Sequence, residues 1–339
     1  MASRLTHRGP DDAGIWVNPE HGIALGHRRL SIQDLTSCGH QPMESTSGRY
    51  VIAYNGEIYN FRQLQTELSK IGFEFRGHSD TEVLLAAVEA WGLADALTRF
   101  TGMFAFALWD KKQHVLSLAR DRIGEKPLYY GWHGDSLLFG SELKALRAHP
   151  HWQNNINRNA LALYMRHNYI PAPYSIYQNI HKLTPGTLLQ IPHSTKAGVL
   201  PAPVPYWNMK AVAESGVRNP VDLSDEEAID KLDSLLRESI RNQMISDVPL
   251  GAFLSGGYDS SAVAALMQQQ SDQKIKTFSI GFHEEAYNEA DHAKRVASHL
   301  GTEHTELYVT PQQAMDVIPN LPSLYDEPFS DPSQIPTYL

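Results

Sequence analysis

A chain of 339 residues has room for two or three domains, each large enough to bury its own core. Lys and Arg number 29 against 38 Asp and Glu, a formal net charge of −9, and no basic stripe occurs, which argues against a nucleic-acid partner. No run approaches roughly 18 apolar residues, the opening MASRLTHRGPDDAG has no apolar centre, and Cys38 stands alone, which excludes a membrane span, a signal peptide and a disulfide framework and points to a cytoplasmic protein.

In chain order, GRYVIAYNGEIYNF, GMFAFALWD, HVLSLARD and DSLLFGSE are short apolar segments punctuated by Gly, Asn and Asp, a pattern that predicts antiparallel strands. Two helices interrupt them. One lies near Arg62 to Ile71. The other is SDTEVLLAAVEAWG, with Ser79 and Glu82 at capping-box spacing and Val83, Leu84, Ala87 and Val88 at helical intervals. IPHSTKAGVLPAPVPYW reads as an irregular connection, and the organisation changes near residue 207. The apolar run in GMFAFALWD fits a core strand better than a channel wall. The sixteen histidines, His292, His299 and His304 among them, form no HExxH or paired Cys/His pattern and read as solvated positions.

The second half alternates. Ser224 and Glu227 predict another capping box, and Ala228, Leu232, Leu235, Leu236 and Ile240 give the following helix one apolar face. VPLGAFL, KIKTFSIGF and HTELYVT read as strands, DSSAVAALMQQQ and NEADHAKRVASHLG as helices, which predicts a parallel sheet. Ligands of such sheets sit at the carboxyl ends of the strands, where Leu254 to Ser261 falls.

That turn, SGGYDSS, has no lysine to neutralise terminal phosphates. Ser255, Gly256 and Gly257 allow close backbone approach, the helix start aims N–H groups into the turn, and Ser260 and Ser261 add hydroxyls, all of which selects an anion. Asp259 would repel a bare phosphate, whereas pyrophosphate carrying a divalent cation satisfies every group. Alone, Ser255 and Asp259 also fit as turn and cap residues.

SGGYDSS resembles the SGGxDS signature of ATP pyrophosphatases, and HRGPDDAG, HRRLSI, YNGEIYNF, GHSDTEV, GMFAFALWD and ARDRIGEKPLYY resemble the glutaminase domain of class II glutamine amidotransferases. With YDEPFSDPSQIPTYL, these motifs occur in the order of the glutamine-hydrolysing asparagine synthases and span essentially the whole chain. The resemblance implies an α+β, Ntn-type four-layer αββα domain over residues 1–207, a linker over 208–223 and the first part of a parallel-sheet α/β synthetase domain over 224–339. It also implies that Arg29 holds the glutamine carboxylate beside Leu30 and Ile32, that Asp80 holds the ammonium, and that Asn55 and Gly56 form the oxyanion hole with Glu57 adjacent. A pocket for glutamine needs a guanidinium, an acid and an oxyanion donor. Taken singly, Asp80 is also a common first-turn acid and Asn55-Gly56 a common hairpin turn.

For the second domain the resemblance implies that Leu254 and Ile280 flank the adenine of ATP. Ser255, Gly256, Gly257, Asp259 and Ser260 would hold the pyrophosphate, Asp259 through Mg²⁺. Glutamine, aspartate and ATP are the implied substrates, with asparagine, AMP and pyrophosphate as products and a homo-oligomer as a possible assembly. The family's N-terminal nucleophilic cysteine and its second acidic motif find no match, so the chain is expected to be an internal portion of a longer enzyme without full activity. Cys38, internal and without a free amine, is not expected to replace that nucleophile. A related amidotransferase of a polysaccharide or natural-product pathway, a β-lactam synthetase, or a non-catalytic glutamine- or ATP-binding module are the competing expectations.

Overall fold

A computed structural model of the chain describes residues 1–283 and 288–339. It divides into two units, Met1–Pro220 with Asp326–Phe329, and Val221–Tyr325 with Ser330–Leu339. The first holds strands β1 (Asp12–Asn18), β2 (Ile23–Arg29), β3 (Met43–Glu44), β4 (Tyr50–Ile58), β5 (Gly102–Asp110), β6 (Val115–Arg120), β7 (Tyr129–His133), β8 (Ser136–Gly140), β9 (Ile180–Lys182), β10 (Thr187–Pro192) and β11 (Val204–Pro205). Its helices are α1 (Phe61–Lys70), α2 (Asp80–Trp91), α3 (Leu93–Arg99), α4 (Leu143–Leu146), α5 (Arg158–His167) and α6 (Met209–Arg218).

One sheet runs β11-β10-β6-β5-β4-β3, a second β8-β7-β9, and β1 and β2 form a hairpin; every pair is antiparallel. The two-residue period of a strand explains the uniformly apolar GMFAFALWD. Ala105, Ala107 and Trp109 join Val51, Leu116 and Leu118 in a core shared with Leu25, Leu128, Tyr130 and Leu183. The alternate residues Phe104, Phe106 and Leu108 are buried on the opposite face, the side of Ile52 and Tyr54 on which α1 and α2 lie. A further core joins Leu138 and Ile180 of the smaller sheet to Leu143, Leu146 and Ala160 of α4 and α5. The order is therefore helix, sheet, sheet, helix, the expected four layers, and β5 is a buried strand of the core whose Met103, Ala105, Phe106 and Ala107 also line a cavity.

The capping box expected at α2 does not form. Ser79 accepts the Thr81 amide (3.2 Å), but the Glu82 carboxylate turns upstream and accepts the amides of Arg76 (2.9 Å) and Gly77 (3.0 Å). Residues 208–223, expected as a linker, include α6, which has no buried residue.

The second unit contains α7 (Asp225–Gln243), β12 (Gly251–Phe253), α8 (Tyr258–Gln269), β13 (Lys276–Phe282), α9 (Ala290–Leu300), β14 (Glu303–Val309), α10 (Pro311–Val317), α11 (Leu321–Leu324) and α12 (Gln334–Tyr338). Its sheet runs β12-β13-β14, all parallel, as the alternation of apolar strands and helices predicted. The Ser224–Glu227 box at α7 is present. The apolar face predicted on α7 is covered only at its end. Ile240 packs with Leu254, Ala264, Leu266 and Ala293, whereas Leu232 and Leu235 are exposed, because α8 meets the last turns of α7.

Candidate functional site

All seven residues expected to bind glutamine line one cavity of about 970 Å³ in the first unit: Arg29, Leu30, Ile32, Asn55, Gly56, Glu57 and Asp80. Arg29 ends β2 and is buried. Its Nη1 donates to the Thr36 carbonyl (3.2 Å), and its Nη2 donates to the carbonyls of Gln33 (3.1 Å) and Asp34. Three of its five N–H groups thus anchor the plane of the guanidinium, and the other two have no acceptor among the described residues. Gly39 makes this placement possible, since a Cβ there would stand 1.8 Å from Nη2.

Asn55 and Gly56 are not a hairpin turn. They lie inside β4, opposite Ala105 and Phe104 of β5, because the apolar pattern on both sides of the pair continues the strand. A Cβ on Gly56 would come within 2.2 Å of the Met103 carbonyl oxygen, so the sheet itself requires glycine here. The Asn55 amide donates to Ser141 Oγ at 3.4 Å.

Asp80 opens α2 yet points its carboxylate at β4. Its Oδ2 accepts the Tyr54 hydroxyl (2.7 Å) and the Ile58 amide (2.8 Å). Burial pushes its pKa up, against the opposing effect of hydrogen bonds from Tyr54, Ile58 and Thr81. The Glu57 carboxyl is also raised, by burial and by Asp80, with Lys126 acting in the other direction. His27 on the same wall is held down to about 4, mainly by burial and then by the Arg29 charge.

The sequence reading assigned no role to Tyr54, Ser141 or Lys126, and it read His27 and Arg28 beside Arg29 as a possible solvated cluster, whereas His27 lines the cavity and is largely withdrawn from water. Tyr54 and Lys126 do lie in the quoted YNGEIYNF and GEKPLYY segments, but strand periodicity gives no hint that a tyrosine beside Asn55 supports Asp80 across the fold. Cys38 is exposed and is not among the residues lining the cavity.

In the second unit the SGGYDSS turn follows β12. Leu254 is buried, its amide donating to the Phe278 carbonyl (2.8 Å), and Ile280 lies near the carboxyl end of β13. Gly256 has φ +82°, and a Cβ on it would lie 2.8 Å from both the Ala293 nitrogen and the His292 Cβ at the start of α9. Ser255 and Ser260 pair through their hydroxyls at 2.9 Å, and Ser260 Oγ also accepts the Ser255 amide at 3.2 Å. The α8 N-terminus begins after Gly257 without a side-chain cap, with Asp259 exposed in its first turn. Ser261 Oγ is buried and has no hydrogen-bond partner among the described residues. Open helix amides, a cradle that a side chain would fill and an orphaned hydroxyl fit an anionic group, and Asp259 suits a cation bound to that anion. Among the described residues no group of His, Cys, Asp and Glu forms a ready-made metal site, so such a cation would need the anion's oxygens as ligands.

Residues 1–207 match the glutamine amidotransferase domain, and residues 231–339 match asparagine synthase. The chain belongs to the glutamine amidotransferase family and carries an asparagine synthase domain. It is 37% identical to a protein from Methanocaldococcus jannaschii named as a glutamine-hydrolysing asparagine synthetase, over all of this chain and 66% of that one. Asparagine synthetase [glutamine-hydrolyzing] 1 of Bacillus subtilis is 36% identical over all of this chain and 51% of its own length. Amidase chry2 of Gibberella zeae is 31% identical over 88% of this chain and 45% of its length. The chain thus spans about half to two thirds of these relatives. No helix among the described residues is long and apolar enough to cross a membrane.

Proposed function

We propose that this chain belongs to a glutamine-dependent asparagine synthetase, residues 1–207 forming its glutamine domain and 224–339 part of its synthetase domain. In the first unit Arg29 takes the glutamine carboxylate with its two uncommitted N–H groups, and Asp80 takes the ammonium. Asn55 Nδ2 and the Gly56 amide face the amide carbonyl, where negative charge develops during hydrolysis. In the second unit the Ser255–Ser260 turn takes the ATP phosphates. Mg²⁺ would be held through the phosphates by Asp259, supplying charge neutralisation as pyrophosphate leaves. Adenylation of the aspartate side chain followed by attack of ammonia gives asparagine and AMP. Leu254 and Ile280 flank the adenine.

The observation that carries the reading is the convergence of all seven expected residues, distant in sequence, on one cavity. Calorimetry on the purified 339-residue chain tests it. Glutamine binds, Arg29→Ala abolishes that binding, and Asp259→Asn removes the Mg²⁺ dependence of ATP binding while leaving glutamine binding unchanged. A parent chain that binds neither ligand, or an Arg29→Ala chain that binds glutamine as the parent does, refutes the glutamine assignment. ATP binding with the same Mg²⁺ dependence in Asp259→Asn refutes the metal assignment.

A further inference from the structure

The cations on the cavity wall are not equally available. Arg8 is bonded to Glu142 (2.9 Å), Arg28 to the Gly9 carbonyl (2.9 Å) and Arg29 to the three loop carbonyls. Lys126 also lines the cavity and is half-buried, yet it has no side-chain hydrogen bond and no ion pair among the described residues. A half-buried ammonium with carboxylates near it but none in hydrogen-bond contact loses hydration without a direct ion pair to offset that loss, which is tolerable where an anion arrives during function.

The turn that presents Lys126 is fixed in unusual detail. Asp121, fully buried, accepts the amides of Gly124 (2.6 Å) and Glu125 (2.9 Å) on one oxygen and those of Phe104 (3.1 Å) and Lys126 (3.0 Å) on the other. Arg120 donates to the carbonyls of Gly124 (2.6 Å), Lys126 (2.6 Å) and Leu183 (2.8 Å). Since Phe104 pairs with Gly56 across the sheet, this turn is tied to the strand position facing the proposed oxyanion hole. The charges that act on Lys126 are Arg8, Glu57, Glu125 and Asp121, and burial lowers its pKa.

We propose that Lys126 recognises the side-chain carboxylate of glutamate, the product of glutamine hydrolysis, and so makes the cavity discriminate product from substrate; this rests on the glutamine reading above. Hydrolysis breaks the amide C–N bond and forms a C–O bond with oxygen from water. The proton and the electron pair leave with ammonia, and a carboxylate remains where a neutral amide stood. An ammonium gains a charge-assisted hydrogen bond to that carboxylate and far less with the amide. The group is thus built for the charge that the reaction creates, and Glu57, next to the proposed oxyanion residues Asn55 and Gly56, is among the charges that act on it.

Calorimetric titration of the 339-residue chain with glutamine and, separately, with glutamate tests this. The parent binds both. Lys126→Gln weakens glutamate by about tenfold or more and glutamine by less than about twofold, while Lys126→Arg keeps most of the glutamate affinity. Glutamate affinity in the parent also falls as pH rises through the ammonium's lowered pKa, and in Lys126→Gln that dependence is gone, a readout that a merely structural role would not move. Equal weakening of both ligands, or unchanged glutamate affinity, overturns the inference and leaves the glutamine pocket standing. Glutamine binding without glutamate binding in the parent does the same, whereas a parent that binds neither sinks both.

Discussion

Replacing Asp121 by asparagine should cost the first unit several kcal/mol, and the structure says why. Each carboxylate oxygen accepts two amides, Gly124 and Glu125 on Oδ1 and Phe104 and Lys126 on Oδ2. Asparagine keeps one accepting oxygen and turns an NH₂ group toward the other pair of donors. Two amides, at least one of them only part-buried, then lose their acceptor on a fully buried side chain, at about 1 to 3 kcal/mol each, so the expected loss is about 4 kcal/mol. All six tryptophans, at positions 16, 91, 109, 132, 152 and 207, lie in the first unit, so urea unfolding followed by tryptophan fluorescence reports on that unit alone. With a urea slope of about 2 to 3 kcal/mol/M, the midpoint should fall by roughly 1.5 M. A fall under about 0.3 M would mean that the four bonds are replaceable by water and that the turn does not rigidly present Lys126.

How much of this was legible in the sequence depends on the distance over which each interaction acts. The two-residue alternation of β5 and the alternating strands and helices from Gly251 to Val309 were legible because burial on one or two faces writes a local period. The Ser224–Glu227 box was equally local and formed. Ser79 and Glu82 had the same spacing, but Glu82 was claimed by two amides of the preceding loop, a competition that spacing cannot reveal. Asn55-Gly56 looked like a hairpin turn because its composition is that of a turn; only pairing with residues about fifty positions later makes it strand. Lys126 and Tyr54 were hidden for the same reason. Their significance comes from Asp121 holding a turn to β5 and from Asp80 facing β4. The glutamine-site residues named through family resemblance converge on the cavity, whereas those supporting them became visible only with the tertiary contacts.

Other expected outcomes are open to measurement. Gly256→Ala forces a side chain onto a left-handed φ of +82° and into atoms 2.8 Å away, so it should weaken ATP binding at least about tenfold and lower the stability of the second unit, checked by calorimetry and thermal melting. Unaltered ATP affinity would show that the turn is not the nucleotide site. His27, held down to about 4 from 6.5, stays neutral in the fold while the unfolded chain takes up a proton below 6.5. The stability of the first unit should therefore be complete above pH 6.5 and decline as pH falls toward 4, and His27→Gln should flatten that part of the fluorescence-monitored urea midpoint profile. Tyr54→Phe removes the hydroxyl that donates to Asp80 at 2.7 Å without changing the shape of the wall. Burial already raises the Asp80 pKa, and this hydrogen bond opposes the rise, so its loss should raise the value further. If Asp80 must be ionised to hold the glutamine ammonium, the acid limb of glutamine affinity should move to higher pH in Tyr54→Phe, with affinity near pH 8 affected least. Calorimetry across pH 4 to 8 reads that limb directly. Coincident limbs in parent and variant would show that Asp80 does not carry the ammonium, even if Arg29→Ala abolishes binding.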